Sequence, residues 1–326
     1  MQKKDYCSIK ERYESFIALW KSHEFETLPK LMDKEVLFWS STVKAYATGA
    51  QHGLFGVRRF IESIPATDVL HYRICNFICH GDDNTAISTA SVVFKAVDIA
   101  EDGSGKVFEF SVNHAVHWQL DHDAWMMTEI RQDVIRHRDE TGKSDEAWHF
   151  EDPKGVWHDG IHLPLINGEL DSPWRNYPED ENTFFTDEEK IQECFARYMF
   201  GVDTISYVHS VDCVSDDAIF VASPWGVLNK RERLLTSKFH RQKDRNGVHP
   251  FLVESIDING DLAECRFFRM SGHNQRDGEY IYNASNKDME YACARWALVF
   301  RNENGTWRIF RFNYYLGIVE VGNYEY

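Results

Sequence analysis

The chain has 326 residues, 43% of them hydrophobic and 14% aromatic, enough to fill two cores rather than one. Its 52 acidic residues outnumber 36 basic ones, and the resulting charge of −16 argues against a nucleic-acid surface or adsorption to an anionic membrane. A small, largely apolar or neutral ligand suits that balance better. The opening MQKKDYCSIKERY has no apolar h-region, and no run approaches the roughly 20 apolar residues of a membrane span, so the expectation is a cytoplasmic protein. Seven cysteines, an odd number without a CxxC pair, read as reduced, buried thiols.

In chain order, SIKERYESFIALWKSHEFETLPKLM spaces Phe16, Ile17, Leu19, Trp20, Leu28 and Leu31 as a helix broken around Ser22–Glu24. EVLFWSS is a short strand, and GLFGVRRFIESIP is a helix stopped by Pro65. Strand-like runs follow at 71–80, 85–98 and 107–120; a DHD turn leads into the last strand, AWMMTEIRQDVIRH. From Thr186 the same order returns. A capping box at Thr186 and Glu189 opens a helix, DAIFVASP answers EVLFWSS, and HPFLVESIDINGD (249–261) answers HYRICNFICHGDD (71–83). AVHWQLDHDAWMMTEI aligns with ALVFRNENGTWRIFRF, pairing Trp125 with Trp307. The pattern predicts a tandem duplication: domain one at 1–137, an ordered linker at 138–185, and domain two at 186–326.

The linker carries Trp148, Trp157 and Trp174, which a flexible tether would not, so it is expected to pack against a domain. Its His149, His158 and His162 fit an ordered polar loop better than a metal site, and Cys75, Cys79 and His80 lack a second ligand pair. No G-x-S-x-G, P-loop or G-x-G-x-x-G pattern occurs, so no metal and no cofactor is expected.

VDTISYVHSVDCVSDDAIF (202–220), LHYRICNFICHGDDNTA (70–86), VHPFLVESIDINGDLA (248–263) and NENGTWRIFRF (302–312) resemble SnoaL-like domains of the nuclear transport factor 2-like superfamily. The resemblance implies an α+β fold of two cone-shaped domains, each with N-terminal helices on a curved, mainly antiparallel sheet. The superfamily includes dehydratases, isomerases and polyketide cyclases, and also non-catalytic binding and dimerisation modules. In its dehydratase-like members an Asp after the first helix pairs with a His opening the first long strand; Asp203 and His249 match those positions. In the first domain His71 matches, but the Asp position falls at Lys21 or Ser22. A second family histidine has no clear match: Ala294 stands near it in domain two, and Asn113 or His114 in domain one. Asp133 matches an acid that some cyclase-like relatives keep.

An Asp–His pair in an apolar cavity can serve as base and acid near neutral pH, which suits a cofactor-independent lyase or isomerase acting on a hydrophobic, cyclic, oxygenated small molecule, polycyclic or aromatic. The expected catalytic residues are Asp203, His249, His71 and Asp133. The expected substrate contacts are Tyr198, Asn313 or Tyr314, His114, Trp39 and Trp225. The alternative is a non-catalytic binding or dimerisation protein. Pairing of the two domains within the chain, or of whole chains, is open.

Overall fold

The computed structural model describes residues 1–42, 50–102, 104–144, 148, 165–222, 226–235, 248–270 and 289–323. The chain divides into two compact units, Met1–Phe184 and Phe185–Tyr326. The architecture is α+β, with a six-stranded sheet in each unit.

The first unit opens with α1 (Lys3–Ser22), a 3-10 turn and α2 (Leu28–Leu31). Tyr13, Phe16, Ile17 and Trp20 fall at i, i+3, i+4 and i+7, one apolar stripe with no solvent exposure. α1 stops at the expected break, where His23 turns left-handed at φ 57° and its N–H caps the Leu19 carbonyl. After β1 (Met32–Ser40) and β2 (Ala50–His52) comes α3 (Gly53–Glu62), ending just before Pro65. The long strands β3 (Val69–Gly81), β4 (Thr85–Ile99), β5 (Gly105–Asp121) and β6 (Ala124–Asp139) complete the sheet in the order β2-β1-β6-β5-β4-β3. β1 runs parallel to β6; the other pairs are antiparallel.

Alternate residues of these strands face the helix, and aromatic rings fill the space between. Trp20 stacks on Phe94 at 4.9 Å, Phe94 stacks on Phe110 at 4.6 Å, and Phe60 of α3 lies 5.0 Å from Trp20. Trp148 lies parallel to Phe60 at 6.2 Å and is buried. Residues 165–184 are also tied to this unit. Asp171 bonds His117 at 2.8 Å, the Asn182 amide donates to the Cys79 carbonyl at 3.1 Å, and Trp174 of α4 (Pro173–Asn176) is buried near His80. Trp157, His149, His158 and His162 lie outside the described residues. Of the described cysteines Cys7 is exposed and Cys194 half-buried, contrary to the uniform burial expected; the other four are buried.

The second unit consists of α5 (Asp187–Asp203), α6 (Tyr207–Asp212), β7 (Val214–Ala222), β8 (Gly226–Asn229), a helical turn at 230–235, then β9 (Phe251–Asn259), β10 (Leu262–Arg269), β11 (Met289–Glu303) and β12 (Thr306–Asn323). Its strand order, β8-β7-β12-β11-β10-β9, repeats that of the first unit. Registers repeat as well. Met32 pairs with Met127 and Phe38 with Ile130; Val214 pairs with Ile309 and Phe220 with Phe312, all displaced by 182 positions (214 less 32, 312 less 130). The Trp125 indole donates to Asp5 at 3.3 Å, and Trp307 donates to Asp187 at 3.2 Å, the same span of 120 residues in both. Each bond pins the first turn of the leading helix to the last hairpin of its sheet.

These registers define counterparts. Asp203 stands where the first unit has Lys21 (203 less 182). On the β9–β10 side the displacement is 177: Arg269 pairs with Phe251 as Val92 pairs with Ile74 (269 less 92, 251 less 74). Carried two residues further back, this register makes Tyr72 the counterpart of His249, in place of the expected His71.

Candidate active site

α5 begins with a full capping box, in which Thr186 Oγ1 accepts the Glu189 N–H and the Glu189 carboxylate accepts the Thr186 N–H. Its inward stripe is Ile191, Phe195, Tyr198, Met199 and Val202, and Phe195 sits centrally, 4.8 Å from both Phe251 and Phe267. The helix ends on Asp203. Ile205 then adopts φ 60°, a left-handed conformation costing a β-branched residue on the order of 1–3 kcal/mol. α6 folds back so closely that a Cβ on Gly201 would lie 2.7 Å from the Ser206 carbonyl and from the Ser210 hydroxyl. Arg197 of α5 holds α6 through Asp212 at 2.6 Å. The strained turn and the close crossing fix the direction in which Asp203 leaves the helix.

That direction is toward His249. Asp203 Oδ1 meets His249 Nδ1 at 2.5 Å, and Oδ2 accepts the His249 backbone N–H at 3.0 Å. The carboxylate is 6% exposed and the imidazole 15%. The Trp296 ring on β11 lies 6.4 Å from the imidazole and 6.0 Å from the Tyr314 ring on β12. Arg269, at the end of β10, donates to the Tyr314 hydroxyl at 2.9 Å and to the Val248 carbonyl at 3.4 Å, bridging the residue before His249 to the far wall. Acid, imidazole, indole, phenol and guanidinium therefore form one cluster at the end of α5. Tyr198, one turn before Val202, is 1% exposed, and its hydroxyl has no hydrogen-bond partner among the described residues.

The other expected site residues stand elsewhere. Asn313 alternates with Phe312 and Tyr314 along β12, so it points away from the interior; Tyr314 takes the inward place. Trp225 lies outside the described residues. Trp39 points away from Val36, Phe38 and Ser40, and Arg131 covers its ring at 5.1 Å. His71 pairs with Lys95, on the face opposite Tyr72 and Phe94, which meet on the inner side at 6.1 Å. Asp133 is likewise on the outer face, between inward Gln132 and Val134, and its carboxylate accepts the Leu165 N–H at 3.1 Å. His71 and Asp133 both lie on the outer face of the sheet, opposite the inward His114.

His114 does face inward, but both ring nitrogens are used. Buried Tyr13 donates to Nδ1 at 2.7 Å, Nε2–H donates to Gln132 at 3.0 Å, and the Gln132 amide donates to Ser40 at 2.8 Å. Burial pushes the imidazole pKa down to about 4 against the upward pull of the Gln132 bond, so His114 is a neutral core residue rather than a substrate contact.

The sequence reading did not include Arg269. Its period-two place beside Ala263, Cys265 and Phe267 was the available signal, an arginine on the apolar face of a strand. The second unit therefore presents an α+β sheet whose first helix delivers an acid to a histidine. The family model of the SnoaL-like domain matches residues 184–313. No curated protein matches the chain. Among solved structures the chain is similar to hexachlorocyclohexane dehydrochlorinase LinA-type3 from Novosphingobium barchaimii LL02, at 8% identity over 43% of this chain and 92% of that one, TM-score 0.33. It is also similar to the Kfla4162 protein from Kribbella flavida, at 14% identity over 43% and 95%, TM-score 0.34. A third similar structure is the CaMKII hub of S. rosetta, at 17% identity over 40% and 94%, TM-score 0.30. No helix among the described residues is long and apolar enough to cross a membrane.

Proposed function

We propose that the second unit is a cofactor-independent lyase or isomerase that moves a proton at a carbon next to a carbonyl of a hydrophobic cyclic substrate. The observation that carries this reading is the pair of hydrogen bonds between Asp203 and His249. With Oδ2 on the backbone N–H and Oδ1 on Nδ1, the carboxylate fixes the imidazole so that Nδ1 carries a proton and Nε2 is left as the base. Asp203 is thus the orienting acid and stabilises the imidazolium that forms, while His249 takes the proton from carbon. The same proton can return at another carbon, an isomerisation, or to a departing hydroxyl that leaves as water, a dehydration.

Tyr314 supplies the oxygen-binding group. Because Arg269 donates to the phenolic oxygen, the Tyr314 O–H is polarised and remains available to a substrate oxygen as negative charge develops on it. The SnoaL-like match spans Asp203, His249 and Arg269, which supports reading them as one site. The first unit, with its interior occupied by its own rings, is proposed as a scaffold.

The test is exchange of the α-protons of 1-tetralone in D2O, followed by NMR. Wild type is expected to accelerate exchange, and Asp203→Asn and His249→Ala to reduce it by about 10²–10⁴-fold while the fold persists by circular dichroism. Equal exchange by wild type and both variants would rule the reading out.

A further inference from the structure

In the second unit the leading helix meets the residue before the first strand through a pair of sulfurs. Cys194, on the flank of α5 outside its inward stripe, is half-buried, and its thiol donates to the Cys213 carbonyl at 3.7 Å. Cys213 closes α6 immediately before β7 and is 2% exposed. Its backbone is held from two sides: the N–H donates to the His209 carbonyl at 3.3 Å, and the carbonyl accepts the Ile309 N–H of β12 at 2.8 Å. The two thiols also bond each other, and that bond, together with burial, pushes the Cys194 pKa well above its ordinary value. The first unit makes the same approach without sulfur. The counterparts are Arg12 and Leu31 (194 less 182, 213 less 182), and Arg12 donates to the Lys30 carbonyl at 2.5 Å.

We infer that Cys194 and Cys213 form a reversible disulfide, which latches the helix bearing Asp203 to the start of its sheet when a peroxide is present. Cys194, the more accessible sulfur, attacks hydrogen peroxide as the thiolate. The O–O bond breaks, an S–O bond forms, and the departing hydroxide takes up the proton that the thiol released. The Cys213 sulfur then attacks the sulfenic sulfur; the S–S bond forms, the S–O bond breaks, and the hydroxyl leaves with the Cys213 proton. Two thiols and one peroxide thus give one disulfide and two waters. The frame for this step is already set. Arg197 is tied at 2.6 Å to Asp212, the residue before Cys213, and the close crossing at Gly201 holds α5 on α6, so the sulfurs are in contact before any oxidation. The new bond closes a loop of 20 residues (213 less 194, plus one) that contains Asp203 and the strained Ile205, and it restricts the unfolded chain accordingly. Because Cys194 holds its proton tightly, thiolate is scarce at neutral pH, and the latch answers sustained rather than brief oxidation. The inference stands on the two thiols and does not depend on the proposed reaction.

The test treats the full chain with hydrogen peroxide, blocks the remaining thiols with iodoacetamide, and digests with trypsin, which cuts between the two cysteines at Arg197. Mass spectrometry is expected to find peptides 191–197 and 198–230 joined, two hydrogens lighter than their sum, and parted again by dithiothreitol. Oxidation should raise the melting temperature of wild type by about 5 °C or more, and dithiothreitol should remove the rise. Cys194→Ala and Cys213→Ala should each show no rise. Should Cys213→Ala fail to fold, because its site is buried, Cys194→Ala at the half-buried position makes the comparison alone. Both peptides alkylated after oxidation, a sulfinic acid at Cys194 in place of the joined pair, or an equal thermal shift in Cys194→Ala would overturn the inference.

Discussion

At the C-terminal end of its leading helix each unit faces the same problem, how to use the space enclosed between that helix and a bent sheet, and the two solve it oppositely. The first unit places Trp20 there, stacks it on Phe94 and Phe110, and closes the remaining gap with Phe60 and Trp148. Its inward polar groups, Tyr13, His114, Gln132 and Ser40, are consumed by bonds to one another. The second unit keeps the frame, down to the Trp–Asp bond that seats the helix, but substitutes Val202 for Trp20 and turns Asp203, His249, Tyr314 and Arg269 inward. A satisfied, filled interior holds a fold together; one with a hydroxyl unpartnered among the described residues, a strained Ile205 and a directed carboxylate carries costs that folding alone does not require.

The largest test of this contrast is chemical. Asp203→Asn should lower turnover by about 10²–10⁴-fold, whereas Lys21→Met at the counterpart position should leave it unchanged. If both substitutions lower it equally, the chemistry is shared between the units and the contrast fails. Exchanging the neighbouring residues comes next. Trp20→Val should destabilise the protein by about 3 kcal/mol, because stacked ring surface is lost and a cavity remains; chemical denaturation reads this directly. The reverse change, Val202→Trp, should leave the sheet intact by circular dichroism but abolish exchange of the 1-tetralone α-protons. Retained exchange would mean that the ligand lies elsewhere.

Histidine 114 gives a third test, in pH. Its folded-state pKa of about 4 lies below the ordinary value near 6.5, so the unfolded chain binds the proton more readily. The neutral imidazole therefore contributes its full share of stability above the unfolded value, and that share drains away as pH falls from about 6.5 to about 4, by roughly 3 kcal/mol at the most. Denaturation midpoints measured across that window should fall steeply for wild type and more shallowly for His114→Gln. Parallel curves would place the titrating group elsewhere.

How much of this was legible in the sequence depended on whether a residue's role was local or a matter of register. The capping box, the break after α1, the stop before Pro65 and the pairing of Trp125 with Trp307 are local signals, and each element lies where its residues put it. Asp203 with His249 was legible through the family pattern. His71 was not, because a strand alternates faces: a one-residue difference in alignment carried it from the inner side, where Tyr72 stands, to the outer. The displacement is 177 on both sides of the bulge that β3 and β9 share (251 less 74, 255 less 78), whereas the similar stretches around His71 and His249 suggest 178. Asp133 lies on the outer face by the same parity. Arg269 carries no motif beyond its period-two place beside Ala263, Cys265 and Phe267; what marks it is the Tyr314 hydroxyl that it meets in three dimensions.

The smallest predicted effect concerns how each leading helix starts. Thr186 caps α5 reciprocally with Glu189, while Gln2, at the N-cap of α1, makes no side-chain bond to the helix. Thr186→Ala should thus cost about 1 kcal/mol, and Gln2→Ser should gain a few tenths up to about 1 kcal/mol, both readable as shifts in denaturation midpoint. The asymmetry follows from where each helix draws its support. α1 buries Tyr13, Phe16, Ile17 and Trp20 without exposure against a filled interior and tolerates an uncapped start. α5 gives up that packing at its far end to present Asp203, and so leans more on its first turn. If Thr186→Ala proved neutral while lowering neither stability nor exchange activity, the first turn would not be part of what aims the carboxylate, and the Trp307–Asp187 bond would be left to seat the helix by itself.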